Sequence, residues 1–329
     1  MTHEELLAKY TSSTIGANGL LNTAQARRFI DMSVEQSQLV KMVDRRFVDE
    51  KSGELYKIDF TEPATVAASE GTEYTDETGA PTHSKFSYTV VKRRTQFELT
   101  WEDLKWTIEE GTYRKTVVDM WNRRWAVDTE LLAILGDEDL YGAPATPLEK
   151  LVDINEGWLE QISVAGGAHI IDATNLTNQY VTSDMFAAAY NVLPYRYLVF
   201  ARPNLSWFMS PHTAADYRHY LMSRQTGLGD AVLQGSKALT PEGLPIVEIA
   251  AWPETLGGGS KTCIILMDPK MLIWIAHREF KLMDRYVQEG DFWRFTGYCY
   301  DDFVVSNNDA ICKIINVEHN DTWDIAEES

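Results

Sequence analysis

The sequence predicts an α+β fold, and three observations carry that expectation. Helical and strand patterns are segregated along the chain instead of alternating, which disfavours a doubly wound sheet. One amphipathic pattern, residues 112–135, is longer than any other helical pattern in the chain. Two strand-like alternations also bracket the polar stretch ASEGTEYTDETGAPTHSKFS (68–87), which contains no Leu, Ile, Val or Met. Inside one compact domain such an insert counts against its own assignment.

The elements follow in order. The first twenty residues show little periodicity and read as an extended arm. Thr23 caps a short helix running toward Asp31. Ser33 opens a second with Gln36 as its capping-box partner, and Val34, Leu39, Val40, Met42 and Val43 form its buried face. Tyr56, Ile58 and Phe60 alternate as in a half-buried strand. Beyond the polar stretch, Phe86, Tyr88 and Val90 alternate in one phase and Phe97, Leu99 and Trp101 in the other, with the change at Lys92-Arg93-Arg94. This predicts a long hairpin whose outer and inner parts pack on different things. Thr100 and Asp103 look like a capping pair for a short helix ending near Gly111. The long helix spans roughly 35 Å at 1.5 Å per residue. Val117, Met120, Trp121, Val127, Leu131 and Leu135 are placed near its buried face, with Arg114, Lys115, Arg123, Arg124 and Glu130 elsewhere.

After Gly136-Asp137 and residues 142–147, Thr182-Ser183 cap a helix stopped at Pro194. Residues 205–210 read as a strand and 213–223 as a helix. Residues 246–250 and 263–267 read as a strand pair joined through Pro253 and Gly257-Gly258-Gly259. The last third is strand-rich over 272–280, 292–305 and 310–317.

Composition narrows function. The 329 residues are 44% hydrophobic, too apolar for a disordered chain. No apolar run approaches a membrane span, and no signal peptide opens the chain. Net charge is −19, which argues against stable sequence-specific nucleic-acid binding. Phosphate-loop, dinucleotide, nucleophile-elbow and zinc-protease motifs are all absent. The Gly257–Ser260 run reads as a hairpin tip. His212 and His219 share a helix face without a carboxylate at metal spacing, and Cys263, Cys299 and Cys312 read as buried thiols. Asp301 and Asp302, adjacent on a strand, point to opposite faces. No catalytic residue, cofactor or metal ligand is assigned.

Charge placement is more informative. The basic runs Arg27-Arg28, Arg45-Arg46, Lys92-Arg93-Arg94 and Arg123-Arg124 face an insert carrying Glu70, Glu73, Asp76 and Glu77 against the single Lys85. Opposite charge on separate elements suits pairing between subunits. Ordinary solvated surface charge is the equal alternative.

The runs TSDMFAAAYNVLPYRY, LSWFMSPHTAADYRHYLMSRQTGLGDAVLQG, GLPIVEIAAWPETL and ILMDPKMLIWIAHREFKLMDR resemble tailed-bacteriophage major capsid proteins of the Hong Kong 97-type shell fold. Upstream, EGT at 70–72 followed by FSYTVVKRRTQFELTWEDL resembles that family's extended loop returning to the core. The resemblance implies an N-terminal arm (1–45) and an extended loop (46–100). It also implies a peripheral domain (101–180 and 265–329) with spine helix 112–135, and an axial domain (181–264). It further implies a non-enzymatic subunit of pentamers and hexamers, in a virion assembled in a bacterial cytoplasm around double-stranded DNA. Expected partners are a separate scaffolding protein, a portal and a decoration protein, with no membrane. In such a shell, charge placement makes Glu70, Glu73, Tyr74, Asp76, Glu77, Lys92, Arg93, Arg94, Arg123 and Arg124 the expected interface residues. Some relatives cross-link a loop lysine to an asparagine; here Lys85 and Asn307-Asn308 match no such motif, and a plain turn is expected at Asn307-Asn308. The rivals are an encapsulin-type compartment, a decoration protein and a soluble acidic hydrolase using a carboxylate pair.

Overall fold

A computed structural model describes residues 38–59, 81–100, 113–223, 239–256, 261–277 and 281–319. Residues 1–37 of the arm, the helices expected at Thr23 and after Thr100, residues 68–80 of the polar stretch 68–87 and the Gly257–Ser260 tip lie outside them. Two five-stranded sheets and a two-stranded ribbon organise the described chain.

The first sheet is built on β11 (Phe292–Val305). Its later residues pair antiparallel with β9 (Leu272–His277), which pairs parallel with β1 (Asp44–Val48). Its earlier residues pair with β10 (Lys281–Val287) and with β4 (Val91–Thr100). Asp301 has Val91 as one strand neighbour and Ala276 as the other, so β4 and β9 lie on opposite sides of β11. β9 and β10 therefore follow one another along the same side.

The second sheet runs β5 (His169–Asp172), β12 (Cys312–Glu318), β8 (Lys261–Met267), β6 (Ser206–Met209), β7 (Ile246–Glu248). Its central strand β8 is buried on both faces, which is why KTCIILM reads as a nearly continuous apolar run. Cys263, Ile265 and Met267 point into one core and Ile264 and Leu266 into another. Strand β6 lies between β7 and β8, so the two runs read as a strand pair are not paired with each other. SWFM is four residues long and wholly buried, and a run that short shows little periodicity.

Helix α1 (Tyr113–Leu135) packs in the first core with Trp158, Trp252, Trp274 and Phe303. Its buried residues are Trp121, Asn122, Trp125, Ala126, Thr129, Glu130, Leu132, Ala133 and Ile134, whereas Met120 is 63% exposed and Val127 is also exposed. The inward face is thus rotated from the one the apolar pattern suggested. Polar residues with specific partners occupy it: buried Glu130 accepts from the Gln38 and Leu39 amides at 3.1 and 2.6 Å. Residues 38–43 form a turn held by that carboxylate and not the end of a helix, although Leu39, Val40 and Val43 are buried as expected.

Gly136 ends α1 where the chain meets Gly157, whose amide donates to the Gly136 carbonyl at 2.8 Å. A Cβ on Gly136 would lie 2.2 Å from the Asn155 carbonyl, so only glycine fits. Helix α2 (Pro147–Val152) begins with a complete Thr146/Glu149 capping box, and α3 (Trp158–Gln161) follows. Helices α4 (Ser183–Val192) and α6 (Pro211–Ser223) contribute to the second core through Met185, Phe186, Ala214 and Tyr217, with α5 (Tyr195–Phe200) between them in sequence.

Candidate assembly surface

Among the described residues, strands β2 (Ser52–Asp59) and β3 (Thr82–Thr89) pair only with each other. The chain leaves β1 at one side of the first sheet, runs out along β2, returns along β3 and re-enters that sheet as β4. At its base the ribbon covers a small third core, where Tyr88 and Val90 meet Ile273, Ile275 and Val304. The Tyr88 ring lies over Gly53, its cross-strand partner, where an added Cβ would come within 2.8 Å of the hydroxyl. Farther out one face of the ribbon is exposed among the described residues: Tyr56 is 68% and Ile58 63% exposed. Tyr56 and Ile58 stand opposite Lys85 and His83, and Lys85 Nζ lies 2.7 Å from Glu54 Oε1. A two-stranded ribbon alone in water is marginal.

Burial falls on even residues up to Val90 and on odd residues from Val91 to Leu99. Tyr88 and Val90 face the third core, and Arg93 and Leu99 face the side of α1. The change of phase expected at Lys92-Arg93-Arg94 falls at Val90-Val91, where the chain leaves its pairing with β2 and takes up pairing with β11.

The uncovered face of β4, β11 and β10 is basic and aromatic. Lys92 Nζ lies 4.3 Å from the Tyr298 ring centroid and 5.9 Å from that of Tyr300. Lys51 Nζ is 5.6 Å from the Tyr300 ring, and His277 packs on the same ring at 5.7 Å. Exposed Arg94 stands beside Tyr298, while Arg294 pairs with Glu98 at 2.8 Å and lies 5.2 Å from the Phe292 ring. Arg285 is the neighbour of Arg294 on β10 and is exposed. A cation over an exposed ring contributes about 0.5–1 kcal/mol and more once water is excluded, so covering this face would strengthen it. In a chain of net charge −19, the covering group it suits is anionic.

The basic candidates divide. Lys92 and Arg94 are on this face. Arg93 is not: it is 5% exposed, and its guanidinium pairs with both oxygens of buried Asp301. It also donates to Thr129 at 3.2 Å and lies 5.4 Å from the Trp125 ring. Burial disfavours its charge, but the Asp301 carboxylate outweighs this and holds the guanidinium above its ordinary value. Arg93 is thus committed within its own subunit, contrary to the interface role expected of it; alternation in β4 turns it inward between two outward-facing cations. Arg123 and Arg124 are exposed on α1, where Arg124 pairs with Asp128 at 2.9 Å. Glu70, Glu73, Tyr74, Asp76 and Glu77 lie outside the described residues.

The other sequence candidates are engaged locally. Asn307 donates to the Tyr197 hydroxyl at 2.9 Å and Asn308 to the Gln161 carbonyl at 3.1 Å, in a short turn. Asp301 and Asp302 have separate partners, as opposite faces require. Burial pushes the Cys263 thiol up to about 11 and Cys299 and Cys312 up to about 12, so all three are protonated at neutral pH. Among the described residues no cluster of His, Cys, Asp and Glu could hold a metal ion, and no helix is long and apolar enough to cross a membrane. The sequence reading missed the Tyr298, Tyr300 and Arg294 row, whose signal is the polar phase of YCY and WRF within an otherwise buried strand.

Compared with solved structures, the chain superposes on a chain of the satellite phage P4 procapsid, solved with its size-determination protein. The TM-score is 0.65 at 13% identity, covering 89% of this chain and 99% of that one. The chain has the phage capsid-shell fold. This is the Hong Kong 97-type architecture the sequence resemblance implied. An encapsulin complex from Synechococcus elongatus shares the fold at TM-score 0.54 and 11% identity, covering 97% of this chain and 98% of that one. Among curated proteins, a Bacillus subtilis protein described as a prophage capsid protein is 27% identical over 97% of this chain and the whole of its own length. No family model matches.

Proposed function

We propose that the protein is a major capsid protein that self-assembles as pentamers and hexamers into an icosahedral phage head around double-stranded DNA. The observation that carries this is the capsid-shell fold together with full-length similarity to a prophage capsid protein. Its role is structural. The ribbon, with Tyr56 and Ile58 uncovered, supports completion by a neighbouring copy. In this reading the acidic insert (Glu70, Glu73, Tyr74, Asp76, Glu77) docks on the Lys92–Arg94 face of another subunit, with Arg123 and Arg124 making further contacts from α1. Charge fixes register and apolar burial supplies affinity.

The arm (1–45) and extended loop (46–100) are proposed with the limits the resemblance implied, although β4 at the end of the second segment pairs with β11 in the first sheet. The axial unit is better drawn around the whole second sheet: β8 crosses the 264/265 limit, and β5 and β12 complete its sheet. Partners in this proposal are a scaffolding protein, a portal and a decoration protein, with assembly in the host cytoplasm.

The encapsulin reading shares the fold; the prophage relative favours the phage head. Electron microscopy of the full-length protein, expressed with and without the neighbouring phage genes, tests the proposal. Closed shells are expected. A monomer under every condition would overturn it, and shells filled with a cargo enzyme would select the encapsulin reading.

A further inference from the structure

The ribbon needs more than apolar contact to hold a direction. Its base rests on Ile273, Ile275 and Val304, and such burial is non-directional, so the ribbon could swing without losing much of it. Directional contacts stand at the same place. Strand pairing breaks at Val90, between β3 and β4, and the Thr89 amide donates to Asp302 Oδ2 at 2.8 Å. The other oxygen, Oδ1, accepts from Asn155 Nδ2 at 3.0 Å and from the Phe303 amide at 2.8 Å. On the opposite limb the Val90 amide donates to the Lys51 carbonyl at 2.9 Å, and His277 meets the Asp49 carbonyl at 2.9 Å.

Asp302 is buried at only 8% exposure, and its carboxylate accepts from three N–H donors. Burial raises its carboxyl above the ordinary value, with the three donors and Asp301 acting after that. Burying a carboxylate is costly, and an apolar side chain would fill the site more cheaply. The carboxylate does what an apolar group could not: it ties the outgoing ribbon to β11 and, through Asn155, to the connection between α2 and α3.

We propose that Asp302 is a positioning residue for assembly, fixing the direction in which the β2–β3 ribbon leaves the subunit. This rests on the shell reading above for its purpose, but not for its test. Asp302→Asn conserves volume and turns an amide NH2 toward at least one N–H donor. Hydrogen exchange on the full-length chain, kept below its assembling concentration, reads the result. A bond to a charged acceptor contributes about 1.5–3 kcal/mol, so amides at 53–59 and 82–89 should exchange at least about tenfold faster, with β8 unchanged. Asn155→Ala, which leaves the Thr89 bond in place, should have a smaller effect confined to the same amides. Thr89→Pro, which removes the donor and keeps the carboxylate, should reproduce Asp302→Asn. Shell yield should fall in the order of ribbon exchange. Unchanged ribbon exchange, acceleration equal in ribbon and β8, or disagreement between Asp302→Asn and Thr89→Pro would overturn the proposal. A wild-type chain that forms no shells would remove the shell reading while leaving the exchange result standing.

Discussion

Strand β8 and strand β3 differ by one residue in length, seven against eight, and stand at opposite extremes of burial. Every side chain of β8 from Thr262 to Met267 is buried, divided between two cores. In β3 only Tyr88 is buried, and the partner strand β2 leaves Tyr56 and Ile58 in water. The contrast separates what the subunit completes alone from what it leaves open. Changes in the body should therefore act on folding, and changes on the ribbon or the basic face should act on assembly.

The largest effect is expected in the body. Phe303 is wholly buried and edge-on to Trp158 at 5.5 Å. Phe303→Ala should cost about 3–5 kcal/mol, read by denaturant unfolding, and a loss under about 1 kcal/mol would break the assignment of this core. Arg93 comes next. Arg93→Met strands the buried Asp301 carboxylate and should cost about 3–5 kcal/mol, whereas Arg93→Met with Asp301→Leu should recover most of it. No recovery in the double variant would show that the pair does more than satisfy itself.

The ribbon should behave in the opposite way. Tyr56→Ser with Ile58→Ser should leave subunit stability within about 0.5 kcal/mol while shell yield collapses, as sedimentation would show. Equal losses in both would erase the distinction drawn between the regions. The smallest effect concerns pH. Burial raises the Asp302 carboxyl, so the folded state holds that proton more tightly than the unfolded state does. Wild-type stability relative to Asp302→Asn should then fall as pH rises from the ordinary carboxylate range through the raised value, and level off above it. A flat difference across that range would contradict the burial of this group.

Much of the fold was legible because long patterns dominate it. The helix expected at 112–135 is Tyr113–Leu135, and the strand expected at 292–305 is Phe292–Val305. Misreadings arose where polar groups are buried with partners. Glu130 and Thr129 turn α1 by their hydrogen bonds, so Met120 and Val127 end outside. Arg93 occupies an inward position that an apolar pattern cannot reveal. The alternation within 82–90 and within 91–100 was readable, but which face is covered depends on β11 and on the ribbon's base, far apart in sequence. Likewise Tyr56 and Ile58 carry a half-buried strand pattern that nothing among the described residues satisfies.

In the proposed assembly an acidic insert on one copy meets the Lys92–Arg94 face of another. Shell yield by sedimentation decides it across three full-length variants. Lys92→Glu with Arg94→Glu should abolish shells, and Lys at positions 70, 73, 76 and 77 should abolish them as well. Combining the two sets in one chain should restore a large part of the wild-type yield, because each copy then presents the inverted charge to its neighbour. Normal shells from either single set, or no recovery in the combination, would contradict the account.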